Sequence, residues 1–147
     1  MKTLHRYTNS NGVELIKKFE GFEATRYICS GGYPTIGFGH KILDNENYSQ
    51  ISYSAAEKIL KKDMFIAEKS VLKHISIPLN DNQFAALVSF AFNLGGAALQ
   101  RSTLRQKINY EIYEDAEPEF LRWVYAGGKI SLGLIKRRQA EYNLFSR

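Results

Sequence analysis

Apolar side chains at positions 56, 59, 60, 64, 67, 71, 72 and 75 recur with the period of an α-helix, and no glycine or proline interrupts them. A helix over this stretch is about 30 Å long at 1.5 Å per residue. Its apolar stripe must be covered by whatever the other residues form, so the chain folds around one long helix. Ser52 or Ser54 can start it, the latter with Glu57 in capping-box spacing. Pro78 separates it from a second apolar helix. Asn80 and Gln83 open that one in the same way before Phe84, Leu87, Val88 and Ala91, and Gly95-Gly96 ends it. Shorter helices are predicted at about 102–109, 116–125 and 132–144, with Gly127-Gly128 between the last two.

The texture ahead of the long helix is different. Residues 12–20 predict a short helix capped by Asn11, with Glu14 three residues on and Val13, Ile16 and Phe19 sharing a face. Gly21 stops it. Residues 21–50 are rich in glycine and aromatics, and Gly31-Gly32 followed by Tyr33-Pro34-Thr35-Ile36-Gly37-Phe38 reads as a small hairpin or twisted sheet. The expected fold class is α+β, a single domain over residues 1–147. A small β lobe at about 21–50 is joined by the long helix to a larger helical lobe, made of residues at about 52–147 plus the N-terminal helix at about 12–20. A cleft where two lobes meet suits an extended ligand.

Composition narrows the function classes. With 147 residues and 44% hydrophobic content the chain can bury a core without a metal or disulfide staple, and a single cysteine makes an intrachain disulfide impossible. The richest apolar run, 84–92, is short and interrupted by Ser89, which excludes a membrane-spanning helix. The first eight residues carry positive charge but no apolar core, so no secretory signal is read, and the protein is expected to stay in the cytoplasm unless something lets it out. A net charge of +5 favours an anionic partner. Nucleic acid is not expected, because Lys17-Lys18, Lys61-Lys62 and Lys136-Arg137-Arg138 lie far apart and no arginine-rich arm is present.

The chemistry is carried by Phe19-Glu20-Gly21-Phe22, then Cys29, then residues 33–40. Glu20 ends the first helix, where the helix dipole and aromatic neighbours both disfavour a carboxylate. A carboxylic acid held protonated is what a glycosidase needs to protonate a leaving oxygen. By itself the position does not prove this, since a glutamate ending a helix is most often a surface residue.

The segment resembles the phage-type (T4-like) lysozymes, the endolysin muramidases of tailed phages and prophages. Their signature is a Glu, eight residues, an Asp or Cys, five residues and a Thr, and Glu20, Cys29 and Thr35 keep that spacing. The likeness continues through Thr35-Ile36-Gly37-Phe38-Gly39-His40, the 83–95 run, Ser102-Thr103-Leu104, Trp123, Gly127-Gly128 and residues 133–141. The resemblance implies a lysozyme-like fold and cleavage of the β-1,4 bond between N-acetylmuramic acid and N-acetylglucosamine in peptidoglycan. It implies Glu20 as general acid, Thr35 holding the attacking water, Cys29 in the place many relatives give to Asp, and Asn93 as a glycan contact. No cofactor and no metal is implied. A monomer is expected, working on glycan strands after release through a membrane lesion such as a holin pore.

Several positions carry two readings. A thiol at Cys29 is mostly neutral at pH 7, and a nearby carboxylate is expected to push its pKa higher, making it a weak base. Direct water attack with inversion and a covalent Cys29 intermediate with retention both stay open. Asp63, beside the apolar stripe, needs a partner, and the resemblance implies His40: a structural ion pair tying the β lobe to the long helix, with the His40 pKa raised and that of Asp63 lowered; His40 as a base is the alternative. Trp123, Phe84, Phe90 and Phe92 are read as core. In residues 129–147, Lys136, Arg137 and Arg138 either engage an anionic envelope or belong to the folded domain. Three rivals to the hydrolase remain: a lytic transglycosylase, which needs a single Glu; a peptidase built on Cys29 and His40; and a non-catalytic wall-binding module.

Overall fold

The long apolar stripe folds as one helix, α2 (Tyr53–His74), in a computed structural model that describes residues 4–147. Residues 1–3, the start of the basic stretch read above for a leader, lie outside the described residues. Of the two serines able to cap α2 it is Ser52 that does so, its hydroxyl accepting from the Ala55 N–H at 3.1 Å. The stripe buries Ala56, Leu60, Met64, Ala67 and Val71 against α3 (Asp81–Leu94). That helix opens with the expected capping box. Asn80 Oδ1 accepts from the Gln83 N–H at 2.8 Å, and Gln83 Oε1 accepts from the Asn80 N–H at 2.9 Å. Every residue from Phe84 to Ala91 is buried, so α3 is the central helix of the core, with other helices on all sides.

The first helix, α1 (Ser10–Glu20), starts earlier than predicted. Asn9, not Asn11, is its cap and accepts from the Gly12 N–H at 3.0 Å, while Asn9 and Asn11 both donate side-chain N–H groups to Asn82. The helical turn must already be formed at Gly12, where α1 crosses α3 so closely that a Cβ would collide with Thr8 and Ala85. The segment before it is tied to α2 by the buried Glu68, which accepts from the Thr8 N–H at 2.7 Å and its hydroxyl at 2.6 Å and lies 2.9 Å from His5.

Glycine and aromatics at 21–50 make a three-stranded antiparallel sheet in the order β1 (Glu23–Ile28), β2 (Pro34–Gly37), β3 (His40–Lys41). On β2, Thr35 lies opposite Tyr27 on one side and Lys41 on the other, and Ile36 faces His40. A bridge between Thr25 and Gln50 closes the lobe just before α2.

Beyond α3 come α4 (Gly96–Arg101), which periodicity did not reveal, then α5 (Thr103–Asn109) and α6 (Ala116–Phe120). The helix expected over 116–125 ends at Phe120 because the chain turns into a hairpin, β4 (Tyr125–Ala126) and β5 (Lys129–Ile130), closed by the Ser131 N–H on the Val124 carbonyl at 2.8 Å. The last helix, α7 (Leu132–Phe145), is capped by Ser131 and packs against α3 and α1. Among the described residues no helix is long and apolar enough to cross a membrane.

Candidate active site

Glu20 closes the C-terminal end of α1 and opens into a cleft of about 490 Å³ between the sheet, α2 and the end of α3. The chain must pass its carboxylate closely. Gly39 stands at φ +74°, and a Cβ there would lie 2.5 Å from Glu20 Oε1. Only glycine meets both the left-handed backbone and the close approach.

To the helix end and aromatic neighbours expected around Glu20 the structure adds a charged partner. Arg137 Nη1, from α7, donates to Glu20 Oε2 at 2.6 Å, and the Arg137 guanidinium also stands 5.9 Å from the centre of the Phe19 ring. A guanidinium only donates, so Oε2 is committed as an acceptor and Oε1 is the oxygen able to carry a proton. Sequence reasoning missed this partner because 117 positions separate the two residues.

Arg137 is held in turn by a buried charge cluster. Glu141 is fully buried and lies 3.4 Å from Arg137 Nε and 2.7 Å from Arg138 Nε, while its Oε2 accepts from the Ser89 hydroxyl at 2.6 Å. The Arg138 Nε contact is an attraction of charges without hydrogen-bond alignment. Burial drives the Glu141 pKa up against the pull of both arginines, and burial draws that of Arg138 down. Arg137 and Arg138 are 3% and 0% exposed. The envelope-binding reading of Lys136, Arg137 and Arg138 is therefore corrected: two of the three cations face inward, paired to Glu20, Glu141 and Asn93, and only Lys136 reaches solvent.

Asn93, at the end of α3, lines the cleft with Glu20. Its Oδ1 accepts from Arg138 Nη2 at 2.7 Å, which fixes the amide and turns its NH2 group into the available donor. Phe84 and Phe90 are core as expected, and Trp123 packs edge-on to Phe90 at 5.6 Å. Phe92 differs, since it is half-buried and forms part of the cleft wall.

Across the sheet, Cys29 sits in the turn after β1, its N–H bonded to the Tyr33 carbonyl at 2.9 Å. Thr35 is buried on β2, and its hydroxyl donates to that same carbonyl at 2.8 Å. The Cys29 thiol is drawn below its ordinary pKa by the Thr35 hydroxyl and the Tyr33 backbone, with Gly31 and Lys41 assisting and burial opposing. This corrects the expected upward shift, because the groups that face the sulfur are donors and a cation. Tyr27, on β1 opposite Thr35, has its pKa raised by burial and then by the charges of Glu20, Cys29 and Glu23.

His40 binds two carboxylates. Its Nδ1 lies 2.7 Å from Asp63 and its Nε2 lies 2.8 Å from Glu46, a partner that sequence reasoning missed. Burial lowers the imidazole pKa, but Glu46 and Asp63 outweigh it and the net direction is up. For Asp63 the expected lowering is corrected: burial raises it, and His40 only partly offsets that. With both ring nitrogens occupied, His40 has none to offer Cys29, and the Cys29–His40 peptidase has no dyad. Among the described residues no group of three or more His, Cys, Asp or Glu is arranged to hold a metal ion.

Comparisons with known proteins place the chain in a family. The chain is 42% identical to the endolysin of Bacillus phage B103 over 91% of its length, and spans about half (52%) of that relative. It is 38% identical to the endolysin of Acyrthosiphon pisum secondary endosymbiont phage 1, covering 95% of this chain and 97% of the other. Among solved structures, the endolysin from Escherichia coli O157:H7 phage FAHEc1 superposes with a TM-score of 0.88 at 32% identity, over 98% of this chain and 96% of that one. The Phage lysozyme family model matches residues 17–141, and the chain belongs to that family.

Proposed function

We propose that this chain is a muramidase that hydrolyses the β-1,4 bond between N-acetylmuramic acid and N-acetylglucosamine in peptidoglycan and so lyses bacterial cells. The observation that carries the reading is Glu20: one oxygen fixed by Arg137, the other turned to the cleft beside Gly39. Glu20 gives the proton on Oε1 to the glycosidic oxygen as the bond to the anomeric carbon breaks. Water, hydrogen-bonded to the Thr35 hydroxyl, adds to that carbon and gives up its proton to solvent, or to Cys29 in molecules where that side chain is ionised. Attack from the face opposite the leaving group inverts the anomer. The Asn93 NH2 donates to the sugar in the cleft. His40, Asp63 and Glu46 tie the β lobe to α2 and do no chemistry.

The protein works as a monomer on glycan strands, and a membrane lesion such as a holin pore gives it access to the wall. Intact protein found outside unlysed cells would overturn that route. The test of the chemistry is mass spectrometry of fragments released from purified peptidoglycan by the parent and by Glu20→Gln. Reducing muramic acid ends are expected from the parent and none from the variant. Anhydro ends would make it a transglycosylase, and absence of product would leave a wall-binding module.

A further inference from the structure

We propose that the solvent face of α2 is a second binding surface, one that docks on a bilayer rich in anionic phosphate head groups. Lys58, Lys61, Lys62, Phe65, Ile66, Lys69, Leu72 and Lys73 are all exposed and fall on one stripe of the helix, opposite the buried stripe of Leu60, Met64, Ala67 and Val71. At 3.6 residues per turn they span roughly 140° of its circumference. No acidic side chain lies among them.

The acids of α2 are spent elsewhere. Glu57 receives Lys17 at 2.6 Å, Asp63 receives His40, and Glu68 is buried under His5 and Thr8. Among the described residues none of the five lysines forms an ion pair. Lys62 lies in electrostatic reach of Glu46 and Asp63, both bound to His40. Five cations without an ion-pair partner on one face ask for a dense array of anions.

The apolar side chains select a membrane over a soluble polyanion. Phe65 and Leu72 lie between Lys61 and Lys58 on the stripe, and the N-terminal segment held by Glu68 adds Tyr7, 73% exposed, beside Phe65. Ile66, 72% exposed, borders the other side and is shared with the rim of the cleft. Apolar chains set among and beside lysines suit a helix lying in the interface, where the long lysine stems reach sideways to the phosphates while the apolar chains touch the acyl boundary. Each lysine adds about a fivefold gain in binding to such a surface.

The test is co-sedimentation of the full chain with vesicles of equal phosphatidylglycerol and phosphatidylcholine, beside vesicles of phosphatidylcholine alone. Binding is expected to the first and not the second, and to weaken with salt. The triple variant Lys61→Gln, Lys69→Gln, Lys73→Gln is expected to lose on the order of a hundredfold in affinity. The same three changed to Arg should restore it, and all variants should cut soluble peptidoglycan fragments at the parent rate. Leu72→Trp should show a blue shift in emission on the anionic vesicles. Equal binding to both vesicles, or an unmoved triple variant, overturns the proposal. So does an unshifted Leu72→Trp in a protein whose lysines bind soluble poly(glycerol phosphate), which would make the face a polymer site.

Discussion

The proposed mechanism gives Cys29 a proton to accept, and its neighbours bear on whether a thiol can do so. The Thr35 hydroxyl has one proton, which goes to the Tyr33 carbonyl or to the sulfur but not to both at once. When it turns to Cys29 it stabilises a thiolate, and Lys41 beside Thr35 on β3 adds positive charge. The rate of alkylation by iodoacetamide should therefore rise with pH at a midpoint below the usual thiol value of about 8.5. Thr35→Val should move the midpoint back up. A parent midpoint at or above the usual value would remove Cys29 as a proton acceptor. The positions of Glu20, Cys29 and Thr35 were legible as a spacing along the chain. The direction of the Cys29 shift was not, because the groups that set it lie across a sheet whose register no local pattern specifies.

At the scale of elements, His40 joins β3, the loop carrying Glu46 and α2. A neutral imidazole has one N–H, yet two carboxylates face the ring, so losing the proton turns one of the two contacts into a repulsion between lone pairs. The folded pKa is raised, so the stability the pair contributes is fully present below the unfolded value near 6.5 and is lost as pH rises through the folded value. Asp63, also raised, acts in the same sense in the acid range, since burial penalises its ionised form. Denaturant midpoints at pH 5.5 and 8.5 (about a unit or more either side of 6.5) should fall in the parent and differ less in His40→Gln. Equal falls in both would show that the contact does not carry the dependence. Here the sequence shows its strength and its limit. The cap at Asn80 follows from residues that local chemistry constrains and Ser52 was one of two caps offered, while the partner of Asp63 was legible only through the family resemblance and Glu46 belongs to a loop without a pattern. The end of α6 depends on a hairpin only two residues deep on each strand, too short to leave an alternation.

For the whole molecule, the cluster of Arg137, Arg138 and Glu141 is where the two ends of the chain meet. It joins α7 to Glu20 on α1 and to Ser89 and Asn93 on α3, so the acid is oriented only once the last helix has docked. The Arg-Arg-x-x-Glu pattern was visible in the sequence; its inward orientation was not, because a helix with buried charges has no apolar stripe to read. Such a cluster is costly to break from one side. Arg138→Met leaves Glu141 short of a counter-charge and should destabilise the fold by about 3–5 kcal/mol. Arg138→Met with Glu141→Leu removes both charges and should recover most of that loss, while Arg137 still reaches Glu20. The double variant should keep Glu20-dependent turnover but with a raised KM, because the Asn93 amide has lost the donor that orients it. Urea unfolding and steady-state kinetics on the three proteins check this together. If the double variant is no more stable than Arg138→Met alone, the cluster is not a balanced pair. If its KM matches the parent, Arg138 does not act through Asn93.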